Sequence, residues 1–109
     1  MVGKSLLNDS PENLIRKYYQ KLKSHNIPVK QIILFGSYAK GAAKPWSDLD
    51  LCVVSPVFGK KPFDEMVMLK KLTSDVESLI EPHPYHPKDL KDKWDPLAVE
   101  IRKYGIKII

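Results

Sequence analysis

At 109 residues the chain has room for one domain over residues 1–109; such a domain buries roughly two-thirds of its unfolded surface, leaving no material for a separate substrate lobe. A hydrophobic content of 43% with 28% charged residues excludes a disordered chain, and the lone Cys52 excludes an internal disulfide. The net charge of +5 (18 Lys and Arg against 13 Asp and Glu) suits anionic ligands. The lysines are scattered, however, with no basic stripe of interleaved aromatics, so no direct nucleic-acid binding is expected.

The opening MVGKSLLNDSPENL lacks the apolar core of a signal peptide, and no apolar stretch approaches the ~20 residues of a membrane span. The expected location is the cytoplasm, away from any membrane.

The first predicted element is a helix opened by SPENL. Ser10 is placed as its N-cap, Pro11 suits the first helical position, and Glu12 complements the positive end of the helix dipole. Leu14, Ile15, Tyr18, Tyr19 and Leu22 recur at helical spacing along one stripe. NIPV ends the helix, and KQIILF reads as a short buried strand running into Gly36. A short helix is expected over residues 37–43, then the loop KPWS and a second strand, DLDLCVVS. After the loop PVFGKKP, FDEMVMLKKLTSD reads as a helix with Phe63, Met66, Val67 and residues 69–72 turned inward.

VESLIEPHPY is the third predicted strand. Pro82 and Pro84 remove two N–H groups on the same side, so that side is an edge or leaves the sheet. Residues 86–105 read as two helical pieces broken near Asp95-Pro96, with Gly105 as C-terminal cap, and IKII adds a last short strand. The alternation of helices and strands predicts an α/β (α+β) fold with a small mixed sheet and flanking helices.

The chemistry concentrates in ILFGSYAKGAAKPWSDLDLCVV. Alternation along a strand turns Asp48 and Asp50 to one face, their Cα atoms roughly 7 Å apart. Two adjacent carboxylates repel, and burying both is costly unless a cation compensates them; Mg²⁺ takes such oxygen ligands. A bare Asp-x-Asp is common by chance and fits a solvated strand end equally well. Gly36-Ser37 adds a second element, because a glycine ending a strand and a serine opening a helix present N–H groups at a positive helix end, where phosphate binds. Gly41 lets the chain turn back, and Lys40 supplies a nearby positive charge.

GSYAKGAAKPWSDLDL resembles the signature of the nucleotidyltransferase superfamily related to DNA polymerase β, and specifically its minimal nucleotidyltransferases. Gly36-Ser37 is followed by ten residues and then Asp48-Leu49-Asp50, the spacing of that pattern. The segment from IEPHPY to YGIKI is similar to the C-terminal half of such domains, so the resemblance covers most of the chain. It departs at Lys40, where many relatives have arginine; lysine keeps the charge and loses the bidentate fork.

The resemblance implies a palm-like nucleotidyltransferase fold and a two-metal site completed by a third carboxylate. Glu81 is assigned to that role, with Glu77 as its competitor on the same side of the predicted strand. Asp48, Asp50 and Glu81 are then both catalytic and metal-binding, and Gly36, Ser37, Lys40 and Ser47 bind the nucleotide. The cofactors implied are two Mg²⁺ ions, with Mn²⁺ as an alternative, and ATP as substrate.

His83 shares the face of Glu81, yet no further ligands complete a zinc site with His86, so both read as a polar strand end. Trp46 reads as a packed loop anchor, with stacking on a base as the alternative. Cys52 receives no chemistry.

The resemblance further implies transfer of AMP from ATP to a tyrosine of a partner HEPN protein, in a hetero-oligomeric toxin–antitoxin pair. Trp46, the Pro82-Pro84 segment and the IKII terminus are candidate partner contacts. Two alternatives stay open: a non-catalytic nucleotide-binding partner subunit, and transfer to a small hydroxylated molecule.

Overall fold

The computed structural model describes residues 6–109; the absence of a leader was read partly over residues 1–5, which lie outside the described residues. Helix α1 (Pro11–Ser24) opens as expected, with the Ser10 hydroxyl accepting the Asn13 N–H. It presents Leu14, Ile15, Tyr18 and Leu22 to the core. Strands β1 (Gln31–Phe35) and β2 (Leu49–Val54) follow with no helix between them.

Residues 36–41 instead form turns, in which the Lys40 and Ala42 N–H groups return to the Gly36 and Ser37 carbonyls. Gly41 at φ +69° and Pro45 leave too few residues for a helix to propagate.

Helix α2 (Pro62–Lys71) crosses from β2 to β3 (Ile80–Tyr85), which pairs parallel to β2. It stops four residues short of the expected end at residue 75, since residues 72–76 turn and Thr73 Oγ1 donates to the Lys70 carbonyl. Of its expected inward face only Leu69 is fully buried, and Phe63 is 71% exposed at its first turn. The third strand likewise starts at Ile80, with Glu77 in the turn before it.

A single 3₁₀ turn (Asp89–Lys91) takes the place of the first expected helical piece after residue 86. Helix α3 (Pro96–Tyr104) is capped by the Asp95 carboxylate and ends at Gly105. Gly105 has an ordinary φ of −65°; it is needed for space, because a Cβ there would strike the Ile101 carbonyl and the Ile33 side chain. Strand β4 (Ile106–Lys107) closes the chain.

The sheet order is β3-β2-β1-β4, with β1 antiparallel to both β2 and β4. As the prolines predict, β3 is an edge. The Leu79 and Tyr85 carbonyls accept the Leu49 and Ser55 N–H groups, so the N positions of Pro82 and Pro84 fall on the side that needs no donor.

Helices α1 and α2 cover one face of the sheet, over Ile32, Leu34, Leu51, Val53 and Ile80. Helix α3 covers part of the other, over Ile33, Phe35, Cys52, Val54 and Tyr85. That second face carries the candidate site, where α3 no longer reaches. Among the described residues no helix is long and apolar enough to cross a membrane.

Candidate active site

Asp50 is the centre of the site. In register it lies between Phe35 of β1 and Glu81 of β3, so the carboxylates of Asp50 and Glu81 project from one face of adjacent strands. Its carboxylate rests against Gly36, which holds φ +72° at the end of β1. A Cβ at residue 36 would overlap Asp50 Oδ2. The glycine is thus demanded twice, by its left-handed backbone and by the carboxylate occupying its missing side chain's place. Asp48 stands one residue before β2, exposed at the mouth of the strand.

The third-carboxylate alternatives separate cleanly. Glu81 is on β3 beside Asp50 and partly exposed. Glu77 is 4% exposed and accepts the Asn8 and Leu79 N–H groups at 2.9 and 3.1 Å, which uses its carboxylate to hold the chain entering β3. It does not share the face of Glu81, because it precedes the strand.

Two side chains without a role in the sequence reading complete the surroundings. Lys70 of α2 places Nζ 3.5 Å from Glu81 Oε2 while donating to the Ser78 and Ile80 carbonyls at 3.0 and 2.7 Å. His83 lies two residues beyond Glu81, with Nε2 3.9 Å from Asp50 Oδ1 and its ring edge-on to Phe35 at 5.2 Å. The face of His83 was legible from strand alternation. Lys70 carried no local signal, since its approach to Glu81 depends on how α2 packs against β3.

The expected nucleotide-binding residues are only partly gathered. Gly36 and Ser37 adjoin Asp50, and among the described residues no partner takes the Ser37 hydroxyl. With no helix after Ser37, the phosphate cradle rests on the turn alone, without a helix dipole. Lys40 turns away, onto Glu100 at 3.6 Å and over the Tyr104 ring at 4.9 Å, which withdraws it from the cradle. Ser47 closes its own turn by accepting the Lys44 N–H at 2.8 Å. Trp46 is 67% exposed, so among the described residues it is not the packed loop anchor expected. Cys52 is fully buried beneath α3, and burial pushes its thiol up to about 12, keeping it protonated and inert.

Among the described residues no three His, Cys, Asp or Glu side chains enclose a metal position. Mg²⁺ does not require such a cage: it binds through one or two carboxylates, retained water and substrate phosphates. Asp50 and Glu81 side by side and Asp48 at the strand mouth form a hard-oxygen donor set that fits it.

This geometry has close counterparts. A family model for the nucleotidyltransferase domain matches residues 15–107. A Methanocaldococcus jannaschii protein named "Putative protein adenylyltransferase" is 33% identical over 99% of this chain and 74% of its own length. A second protein of that organism with the same description is 45% identical over 38% of this chain and 48% of its own length.

Among solved structures, a chain of a toxin–antitoxin with AMP-PNP superposes with a TM-score of 0.62 at 26% identity, covering 90% of this chain and 72% of that one. A chain of the complex of a tri-AMPylated Shewanella oneidensis HEPN toxin with MNT antitoxin superposes at 0.58 and 18% identity, covering 92% and 72%, and shares the fold. A family model matching most of the chain and a relative 33% identical across 74% of its own length show that this protein belongs to the nucleotidyltransferase domain family.

Proposed function

We propose that the chain is a single-domain, cytoplasmic adenylyltransferase that moves AMP from ATP onto a tyrosine of a partner HEPN toxin. The observation that carries this reading is the placement of Asp50 between Gly36 and Glu81, which sets a phosphate-binding turn directly against paired carboxylates. The likeness to a relative named for protein adenylyltransferase, and to a toxin–antitoxin chain solved with AMP-PNP, supports ATP as donor and a protein as acceptor.

Asp48 and Asp50 are the residues to hold two divalent ions, with Glu81 sharing the ion on the acceptor side. Such ions supply activation of the attacking hydroxyl and neutralisation of the triphosphate. The chain itself orients the reactants. The turn at Gly36 presents backbone to a phosphate, and the Ser37 hydroxyl, without a partner among the described residues, donates to it. Lys70, held by two carbonyls, keeps Glu81 aligned. The tyrosine oxygen bonds to the α-phosphorus, the bond from that phosphorus to the pyrophosphate oxygen breaks, and the phenolic proton passes to water.

A second reading, a nucleotide-binding partner subunit without transfer, is favoured by Lys70 alone, since an ammonium on Glu81 neutralises it without a metal. Co-expression with a HEPN-type partner, followed by ATP and Mg²⁺, separates the two. Adenylyl transfer adds AMP mass to a partner tyrosine, as read by intact-mass and peptide mass spectrometry. A partner that binds but gains no mass with any NTP marks the binding subunit.

A further inference from the structure

A groove of about 460 Å³ runs along the free edge of β3, between the first turn of α2 and the start of α3. His83, whose Nε2 is 3.9 Å from the Asp50 carboxylate, lines it. Phe63 and Met66 of α2, Leu97 of α3 and the aspartates Asp89, Asp92 and Asp95 line it as well. Phe63, one of the residues lining the groove, is 71% exposed.

We propose that this groove docks a basic segment of the acceptor protein and delivers its tyrosine past His83 to the carboxylates; the inference rests on the adenylyltransferase reading above. Three observations select that occupant. The first is continuity, since a ring entering between Phe63 and Leu97 and reaching His83 brings its hydroxyl beside Asp50. The second is charge. In a chain of net charge +5 the groove is rimmed by aspartates, while the lysines interspersed with them, Lys88, Lys91 and Lys93, do not line it. An acidic rim attracts Lys and Arg and repels nucleic acid, whose phosphates would meet like charge.

The third observation is the floor. Pro82 and Pro84 offer no N–H groups on the outer side of β3, so an incoming segment cannot dock there as a fully paired extra strand. Recognition then falls to side chains: apolar contact for an aromatic ring and aspartates for its basic neighbours. The volume lies within the ordinary range of about 300–1,000 Å³ for ligand pockets and accommodates one aromatic side chain with its flanking stems.

The test uses the full chain without nucleotide and two fluorescein-labelled peptides, Arg-Lys-Tyr-Lys-Arg and Glu-Asp-Tyr-Asp-Glu, read by fluorescence anisotropy. The basic peptide should bind ~10-fold more tightly, with an advantage that shrinks as salt is raised. Asp89→Asn with Asp92→Asn should erase most of that preference while leaving Mg²⁺-ATP affinity unchanged. Phe63→Ala should weaken the basic peptide without altering ATP binding. Equal affinity for the two peptides, or indifference to both variants, overturns the proposal.

Transfer assays keep the two readings apart. If AMP transfer to the partner proceeds unchanged in the Asp89/Asp92 variant, the groove assignment falls and the enzyme stands. If the basic peptide binds as described while the partner never gains AMP, the groove stands and the transferase reading falls.

Discussion

Gly36 shows most plainly how a single residue constrains the site. Alanine there must hold a left-handed φ, at a cost of roughly 1–2 kcal/mol, and must also displace the Asp50 carboxylate. Gly36→Ala should therefore lower stability modestly and abolish nucleotide-dependent activity, measured by urea unfolding and by transfer; an active variant would mean that the contact with Asp50 is dispensable. The two glutamates make a matched pair. Glu81→Gln should cut the transfer rate severely with little change in stability. Glu77→Gln should spare the rate but lower the unfolding midpoint, because Glu77 accepts two backbone N–H groups in a buried turn. The opposite pattern would exchange their roles.

The neighbouring positions of Gly36, Asp50 and Glu81 were legible in the sequence because they depend on strand alternation and spacing along the chain, whereas Asp48, expected inside the strand, stands just before it. Lys40 was not legible: its ammonium follows Glu100 and Tyr104 on α3, sixty and sixty-four residues away, which no local pattern encodes.

At the scale of elements, helix α1, the four strands and the edge position of β3 followed from capping residues, apolar runs and paired prolines. The short helix expected after Ser37 did not form. Only Ser37 to Lys40 lie between the left-handed Gly36 and Gly41, too few to repay the costly nucleation of a helical ladder, and Pro45 follows closely. The segment after α2 misled differently. Its apolar residues Val76, Leu79 and Ile80 suggest one continuous strand, yet Glu77 satisfies turn amides there and delays pairing to Ile80.

Lys70 ties these elements together by joining α2 to the two carbonyls that lead into β3. Lys70→Met should lower stability by about 1 kcal/mol, the net worth of one or two hydrogen bonds at a half-exposed site. Denaturant titration should show a lower midpoint at unchanged slope; an unshifted midpoint would show that the contacts are ornamental.

Across the whole molecule, function follows from an asymmetry between the two faces of the sheet. Helices α1 and α2 seal one face with a continuous core, while α3 covers only part of the other and leaves the ends of β1, β2 and β3 open around Asp50. The open end gathers acidic oxygens on a chain that is basic overall, so a triphosphate meets attraction from a distance and repulsion at contact. A divalent cation resolves that conflict.

Calorimetric titration of the protein with ATP, in the presence and absence of Mg²⁺, tests it most directly. Binding should be at least ~10-fold tighter with Mg²⁺, and that gain should be lost in Asp48→Asn with Asp50→Asn, a variant that should stay folded because relief of carboxylate repulsion offsets the lost polar contacts. Equal affinity with and without Mg²⁺ in the wild-type protein would contradict it.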